Sequence, residues 1–353
     1  TDRVDMAAVN DIVPGRMAKA KKEMSIPNAR EYADFRKLLD DKSLDAVIIG
    51  SPDHWHVPML VAAVDAGKDV YIEKPLTHTV EEGQRAIDAV KRTGRVVQVG
   101  YQQRSYPHIL EAKQMVEAGE IGNVTLAQSY WYQSYIRSAW TQTKEDLTGI
   151  DWKVWLGAAP GRPFDELRYR RWRWFWDYGG GTLTDLFSHW VDTIHWVTGD
   201  ASPVTAQALG GNVHFKEWEC PDTLSASFRY SKGHLVTYES TLVQAYEDGG
   251  MVFRGDKGTL KLGRGGYQLI PEADQAGQRA AGKTAKAQRD GTVDHMINFL
   301  DCVKSRATPN AGVENSVASA NAAHLGNLAY KVGSTVHADR LASEWKPFFN
   351  GRD

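Results

Sequence analysis

Cysteine is nearly absent. The chain has two in 353 residues, Cys220 and Cys302. They are too few and too far apart for a disulfide framework or a zinc site, so each reads as a buried thiol and no metal centre is expected. Long apolar runs are missing too: the longest are strand-length, which leaves no helical membrane span. Charge of one sign is also lacking. With 42 Lys and Arg against 44 Asp and Glu, the net is −2, so no general attraction to nucleic acid or an anionic membrane is expected. Thr1-Asp2-Arg3-Val4 has no apolar signal-peptide core, and internal repeats are absent. The most informative lack is at the start, where the chain opens on a strand with no glycine-rich phosphate loop ahead of it.

What is present is an ordinary globular composition, 42% hydrophobic and 24% charged, over a length that suits two domains. The first hundred residues alternate between the strand and helix periods. Val4 to Val9, Asp45 to Gly50, Val70 to Ile72 and Arg95 to Gly100 read as strands, the second of the doubly buried kind. Between them lie helical patterns: an Ala-, Met- and Lys-rich stretch after Asp11, then Phe35 to Leu39, Val57 to Ala66 and Val80 to Lys91. Strands alternating with helices at this spacing predict right-handed crossovers and a parallel sheet.

After Tyr101 the texture changes. Val124 to Trp131, Leu224 to Tyr230, Leu235 to Leu242, Met251 to Arg254 and Thr259 to Leu262 read as strands of an antiparallel meander, with turns at Ser231-Lys232-Gly233 and Asp256-Lys257-Gly258. Two helices, Val293 to Val303 and Val313 to Val332, are expected to close the chain, and Glu272 to Gly291 reads as a flexible loop. The expected architecture is therefore an α/β Rossmann-like domain over residues 1–104 and an α+β domain with an open, mainly antiparallel sheet over residues 105–353.

In a dinucleotide-binding sheet the first strand lies in the middle, joining the two halves. If Val4 to Val9 is the second strand, that central strand and its phosphate-holding loop are not in this sequence. A sheet without it would expose two unpaired edges. The expectation is a further strand-loop-helix unit of about 25–30 residues ahead of Thr1. Asp11, at the end of Val4 to Val9, sits where such a strand offers an acidic residue to the adenosine ribose. The alternative is that Val4 to Val9 is itself the first strand and the fold binds no dinucleotide.

The candidate chemistry lies at strand and helix ends. Ser51-Pro52-Asp53-His54-Trp55-His56 follows a buried strand; it is an ordinary helix start, yet its position also suits Asp53 and His56 to cofactor contact. Lys74, between Glu73 and Pro75, could face the same crevice and polarise a substrate hydroxyl. Gly179-Gly180-Gly181 opens a helix on which Leu183, Leu186, Phe187, Trp190, Ile194 and Val197 share one face and Asp185, His189, Asp192 and Trp196 another. Asp185 and His189 stand one turn apart, so the carboxylate is expected to orient the imidazole and raise its basicity. Nine of the 12 tryptophans fall between Trp131 and Trp196, most densely in Arg168 to Trp176. Trp174 and Trp176 with neighbouring arginines suit sugar rings, would equally suit single-stranded nucleic acid, or could be simple packing.

Taken together, Ser51 to His56, Glu73-Lys74-Pro75, Gly100-Tyr101-Gln102-Gln103-Arg104, Trp152 to Pro160, the glycine-run helix through Asp192 and Asn298 to Cys302 resemble the glucose-fructose oxidoreductase / inositol dehydrogenase / rhizopine catabolism (Gfo/Idh/MocA) family. The resemblance covers nearly the whole chain and implies NAD(P)-dependent oxidoreduction on a Rossmann domain plus a C-terminal domain whose sheet often mediates oligomerisation. By motif, Lys74, Asp185 and His189 fall on the family's catalytic Lys, Asp and His. Asp11 falls on the ribose position, favouring NAD over NADP. Ser51, Asp53, His56 and Glu73 match positions lining the nicotinamide half, and Gln102 and Arg104 lie near the substrate edge.

The expected activity is NAD-dependent oxidation of a ring hydroxyl of a sugar, cyclitol or glycoside, with a homodimer or homotetramer formed through the C-terminal sheet. Two rivals stand beside it: a redox-neutral glycosidase or lyase of the same family, and a cofactor-less carbohydrate-binding or scaffold protein. The compartment is open between cytoplasm and periplasm, the latter by twin-arginine export.

Overall fold

The computed structural model describes residues 4–137 and 146–349; Trp140 of the tryptophan-rich stretch lies outside them. Strand β1 (Ala8–Asn10) leads into helix α1 (Pro14–Glu23), which starts on a proline, where a missing N–H is harmless. β2 (Arg30–Tyr32) pairs parallel with β1. α2 (Phe35–Asp40) is capped by the Asp34 carboxylate, which accepts from the Arg36 backbone N–H. Then β3 (Ala46–Ile49), α3 (His56–Asp65), β4 (Asp69–Ile72), α4 (Glu81–Thr93) and β5 (Val97–Val99) build a parallel sheet in the order β3-β4-β5. Among the described residues this sheet shares no strand pair with β1-β2. β4 is buried throughout. β3 departs from the doubly buried expectation: it pairs with β4 alone, and Ile48 is 54% exposed.

α5 (Pro107–Glu117) precedes β6 (Val124–Tyr132), and α6 (Trp152–Leu156) and α7 (Glu166–Arg170) precede α8 (Ser188–Thr198). The chain continues through β7 (Pro203–Gly211), β8 (Thr223–Tyr230), β9 (Leu235–Thr241), β10 (Gly249–Gly255), β11 (Gly258–Gly263), β12 (Gly266–Pro271) and β13 (Lys283–Lys286). It ends in α9 (Thr292–Ser305), α10 (Val313–Val332), β14 (Val336–His337) and α11 (Leu341–Phe349). The large sheet has the order β13-β12-β11-β10-β6-β9-β8-β7-β14. It corrects the simple meander, because β6 inserts between β10 and β9 and runs parallel to β9. The expected loop from Glu272 contains the edge strand β13, and α11 follows the two expected closing helices.

Period-two patterning fixes which face is inward. In β8, Leu224, Ala226, Phe228 and Tyr230 are buried while Ser225, Ser227 and Arg229 are exposed. The inward rows pack on Phe187, Trp190 and Ile194, and each large apolar side chain so buried contributes about 1.5–3 kcal/mol. The last helices return to the parallel sheet. Phe299 and Cys302 meet Tyr71 and Val96, while Val313 and Val317 join the core of β3, β4 and β5. Gly83 makes this possible: a Cβ there would lie 2.7 Å from Val317 Cγ1. Further along α10, Leu325 and Leu328 enter the core of the large sheet, so one helix belongs to both cores.

Candidate active site

The carboxyl ends of β3, β4 and β5 deliver three polar segments to one crevice. After β3, Asp53 opens a short 3-10 turn and is 3% exposed. Burial and the nearby charge of Asp185 push its carboxyl well above the ordinary range, against the pull of Arg173 and Lys74. His56, at the start of α3, has Nδ1 2.6 Å from the Pro75 carbonyl and Nε2 2.9 Å from that of Ser51. Burial takes it down to about 4, so the neutral ring, with a single N–H, donates to one of these two carbonyls only.

After β4 come Glu73 and Lys74. The Glu73 carboxylate lies against Gly100, where any Cβ would be 2.7 Å from Oε2. Gly100 therefore permits its approach. Gln102 Nε2 lies 3.5 Å from Glu73 Oε1 and 3.4 Å from Tyr71 Oη. Burial raises the Glu73 carboxyl, and Lys74 partly offsets this.

The Lys74 ammonium crosses to the other half of the molecule. It donates to the Asp185 carbonyl at 2.5 Å and to Oδ1 at 2.7 Å. Arg173 Nε donates to the same Oδ1 at 3.2 Å. Burial works to raise Asp185, but Lys74 and Arg173 outweigh it and hold the carboxylate below its ordinary range. Arg173 stacks on Trp172 with its guanidinium 4.1 Å from the ring centroid. Sequence reasoning did not single out Arg173. Its signal lay in the arginine-aromatic run, where no spacing marks which arginine turns inward.

Asp185 lies in a π-helical turn, Leu183–Phe187, that runs straight into α8. That turn alters the expected partnership. A π turn holds one more residue than an α turn, so Asp185 and His189 are not stacked as an α-helix would stack them. Asp185 faces Lys74 and Arg173, and the His189 Nδ1 faces Gln103 Oε1 at 3.2 Å. The His189 ring stacks on Trp131, with centroids 5.7 Å apart and planes at 23°, and meets the edge of Tyr101 at 6.2 Å. Burial, then the charges of Lys74 and Arg264, push His189 well below its ordinary range. The expectation that a carboxylate raises its basicity is thereby reversed.

Other expected site residues sit elsewhere. Arg104 is buried, with Nε and one terminal guanidinium nitrogen donating to Asp192 at 2.7 and 2.9 Å. Trp174 is 1% exposed, stacked on Trp218 at 5.0 Å and edge-on to Tyr135. Trp176 is buried against Tyr330, with Lys331 over its ring at 4.5 Å. All three, expected at the substrate edge, are packed inside the protein on these partners. Asp11 lies just past β1, its Oδ1 accepting from the Val13 backbone N–H at 2.8 Å, with Arg16 3.7 Å from Oδ2. The Ser51 Oγ, at the end of β3, is buried with no hydrogen-bond partner. An orphaned hydroxyl at the carboxyl end of a parallel strand fits a polar ligand lying across the crevice. Among the described residues no cluster of His, Cys, Asp and Glu could hold a metal, and no helix is long and apolar enough to cross a membrane.

A parallel α/β sheet with charged groups gathered outside its carboxyl ends, facing a helix of the second domain that carries a buried imidazole, defines a dinucleotide-binding class of fold. Residues 1–101 match an oxidoreductase family model with an NAD-binding Rossmann fold, and residues 157–261 match the GFO/IDH/MocA C-terminal domain. The two models together take in more than half of the chain, which belongs to the Gfo/Idh/MocA oxidoreductase family. A scyllo-inositol 2-dehydrogenase (NAD(+)) of Bacillus subtilis is 38% identical over 117 residues, 33% of this chain and 34% of that protein. A levoglucosan dehydrogenase of Pseudarthrobacter phenanthrenivorans is 29% identical over 196 residues, 54% of this chain and 44% of that protein. These alignments span less than half of each relative's length. Solved structures share the fold over more of the chain. A levoglucosan dehydrogenase in complex with NADH and levoglucosan superposes with a TM-score of 0.75 at 20% identity, covering 94% of this chain and 90% of that one. An oxidoreductase domain protein from Kribbella flavida gives 0.77 at 18% identity, covering 95% and 90%.

Proposed function

We propose that this protein is an NAD-dependent dehydrogenase that oxidises a ring hydroxyl of a sugar, cyclitol or glycoside to a ketone. The observation that supports it is the convergence of the Lys74 ammonium and the Asp185 carboxylate beside the buried, neutral imidazole of His189. In this reading residues 1–104 hold the dinucleotide and residues 105–353 the substrate. Asp11 takes the adenosine ribose, and Ser51, Asp53, His56, Glu73, Lys74 and Gln102 line the nicotinamide half. NAD, when bound, supplies the hydride acceptor.

The chain's own residues then move the proton. Two N–H groups of the Lys74 ammonium are spent on Asp185, and the third is left to polarise the substrate oxygen. His189, neutral at pH 7, takes the hydroxyl proton as the C–H bond gives up its hydride. The imidazolium so formed faces Lys74 and Arg264, which favours passing the proton on. Inositol and levoglucosan dehydrogenases among the relatives support the substrate class. The outer face of the large sheet, carrying the exposed Leu209 and Leu235 and the stacked pair Tyr130 and Tyr132, is the proposed surface for a homodimer or homotetramer.

The test is turnover of the full-length protein with NAD across sugars, cyclitols and glycosides. The expected result is one NADH and one ketone, two hydrogens lighter, per substrate consumed. His189→Ala is expected to lose on the order of 10²–10⁴ in kcat. Cleavage of a glycoside without net NADH would point to a redox-neutral lyase. Full activity in His189→Ala would remove the base assignment.

A further inference from the structure

A neutral imidazole has one N–H and one lone pair, and only the nitrogen with the lone pair can accept a substrate proton. Which nitrogen that is depends on what the other one meets. Neither carboxylate one turn away serves, because Asp185 Oδ1 is taken by Lys74 at 2.7 Å and Arg173 at 3.2 Å, and Asp192 by Arg104 at 2.7 and 2.9 Å. The atom facing His189 Nδ1 is Gln103 Oε1, at 3.2 Å.

We propose that Gln103 is a positioning residue for this reaction: its amide oxygen accepts the Nδ1–H of His189 and holds the tautomer whose Nε2 lone pair meets the substrate. This rests on the reading of His189 as the base. Three further observations carry it. Gln103 is 1% exposed, and its Nε2 is buried without a partner. An amide that leaves one end unsatisfied carries a desolvation penalty, so the contact made by its other end is the one that places it. Next, its neighbours fix its height against α8. Arg104 is clamped bidentately to Asp192, which lies on α8 one turn beyond His189 and also accepts from Ser319 Oγ at 3.1 Å. Gln102 points the other way, toward Tyr71 and Glu73. Three consecutive side chains of one 3-10 turn thus tie β4, the base and the rest of α8 together. Finally, Trp131 stacked on the ring and Tyr101 set edge-on to it confine the plane in which Nδ1 can point.

The choice of an amide over a carboxylate has a chemical consequence. The charged and titratable groups about His189 are Lys74 beyond β4, Arg264 between β11 and β12, Tyr101 ahead of the 3-10 turn, and Asp185, whose charge is committed to Lys74 and Arg173. A neutral partner orients the ring while stabilising its protonated form far less than a carboxylate would. The base therefore stays free in mild acid and gives up its proton readily after each turnover.

The test reads the tautomer first. In the full-length protein labelled with 15N-histidine, with His189→Asn supplying the assignment, Nδ1 of His189 is expected to carry the proton. This readout needs no turnover, so it stands apart from whether His189 is the base. Gln103→Leu is expected to lose the single tautomer and on the order of 10²-fold in kcat with KM little changed. Gln103→Glu, the same shape with a charge, is expected to raise the acid limb of the pH–rate profile by about 1–2 units. A merely structural role for Gln103 would leave the His189 tautomer unchanged in Gln103→Leu. A wild-type ring protonated on Nε2, or an unmoved acid limb in Gln103→Glu, overturns the proposal.

Discussion

At the scale of single residues the site is a charge arrangement in which each member sets the others. Asp185 receives two cations, Lys74 and Arg173, while burial, and then the charge of Asp185, hold Asp53 above the carboxylate range. The double pairing of Asp185 separates stability from activity. Lys74→Met removes one cation but leaves Asp185 paired with Arg173 at 3.2 Å. The expected loss of stability is modest, about 1–3 kcal/mol. The expected loss in kcat is larger, on the order of 10²–10³, the effect of removing one preorganised donor from a developing oxyanion. Urea denaturation beside steady-state kinetics separates the two numbers. Near-wild-type turnover in Lys74→Met would make the lysine a structural tie alone.

At the scale of elements, the π turn ahead of α8 and the 3-10 turn after β5 decide which partners meet. Arg104 and Asp192 join the 3-10 turn to α8 inside the protein, with side chains 6% and 0% exposed. Removing one partner from such a pair leaves an uncompensated buried charge, whereas removing both leaves none. Arg104→Met is expected to destabilise by about 3–5 kcal/mol, and Arg104→Met with Asp192→Leu to recover most of that loss. Thermal unfolding of the three proteins decides it; if Arg104 bound substrate instead, the single change would alter KM and leave the melting temperature near wild type. Much at this scale was legible in the sequence. Apolar runs marked β3, β4 and β5, and Gly94, Gly199 and Gly333, all with φ near +65°, stop α4, α8 and α10 where the helical patterns end. β2 was not legible, since Arg30-Glu31-Tyr32 has neither alternation nor an apolar run. The candidates Lys74, Glu73, Asp53, Asp185 and His189, which the fold brings together, could be singled out because strand ends and helix starts are readable. The pairing of Asp185 with His189 failed because a one-residue widening of the helix carries no compositional mark.

At the scale of the whole molecule, the two cores are joined by groups that burial keeps neutral. His54 and His56 lie beyond β3, His195 on α8, His295 on α9 and His324 on α10. Burial takes them down to about 3, 4, 3, 4 and 3 respectively. Each has a native value below the ordinary histidine range near 6.5, so the native chain binds fewer protons there than the unfolded chain. Their contribution to stability is full above that range and is lost as pH falls toward the native values. Each contributes a slope of about 1.4 kcal/mol per pH unit within the window. Glu82 acts in the opposite sense: burial pushes it up to about 7, against backbone N–H donation from Thr79 and His78, so its contribution is lost as pH rises from its ordinary value. The histidines outnumber it. Stability from urea denaturation is therefore expected to fall steeply from pH 6.5 down to about 4, the span of the histidine shifts, and the fall begins well before most carboxylates protonate. Replacing His324, whose Nε2 lies 3.1 Å from Thr77 Oγ1, with glutamine is expected to flatten the slope by about 1.4 kcal/mol per unit. A curve that stays level down to pH 4, in both proteins, would place the acid sensitivity of this fold on its carboxylates instead.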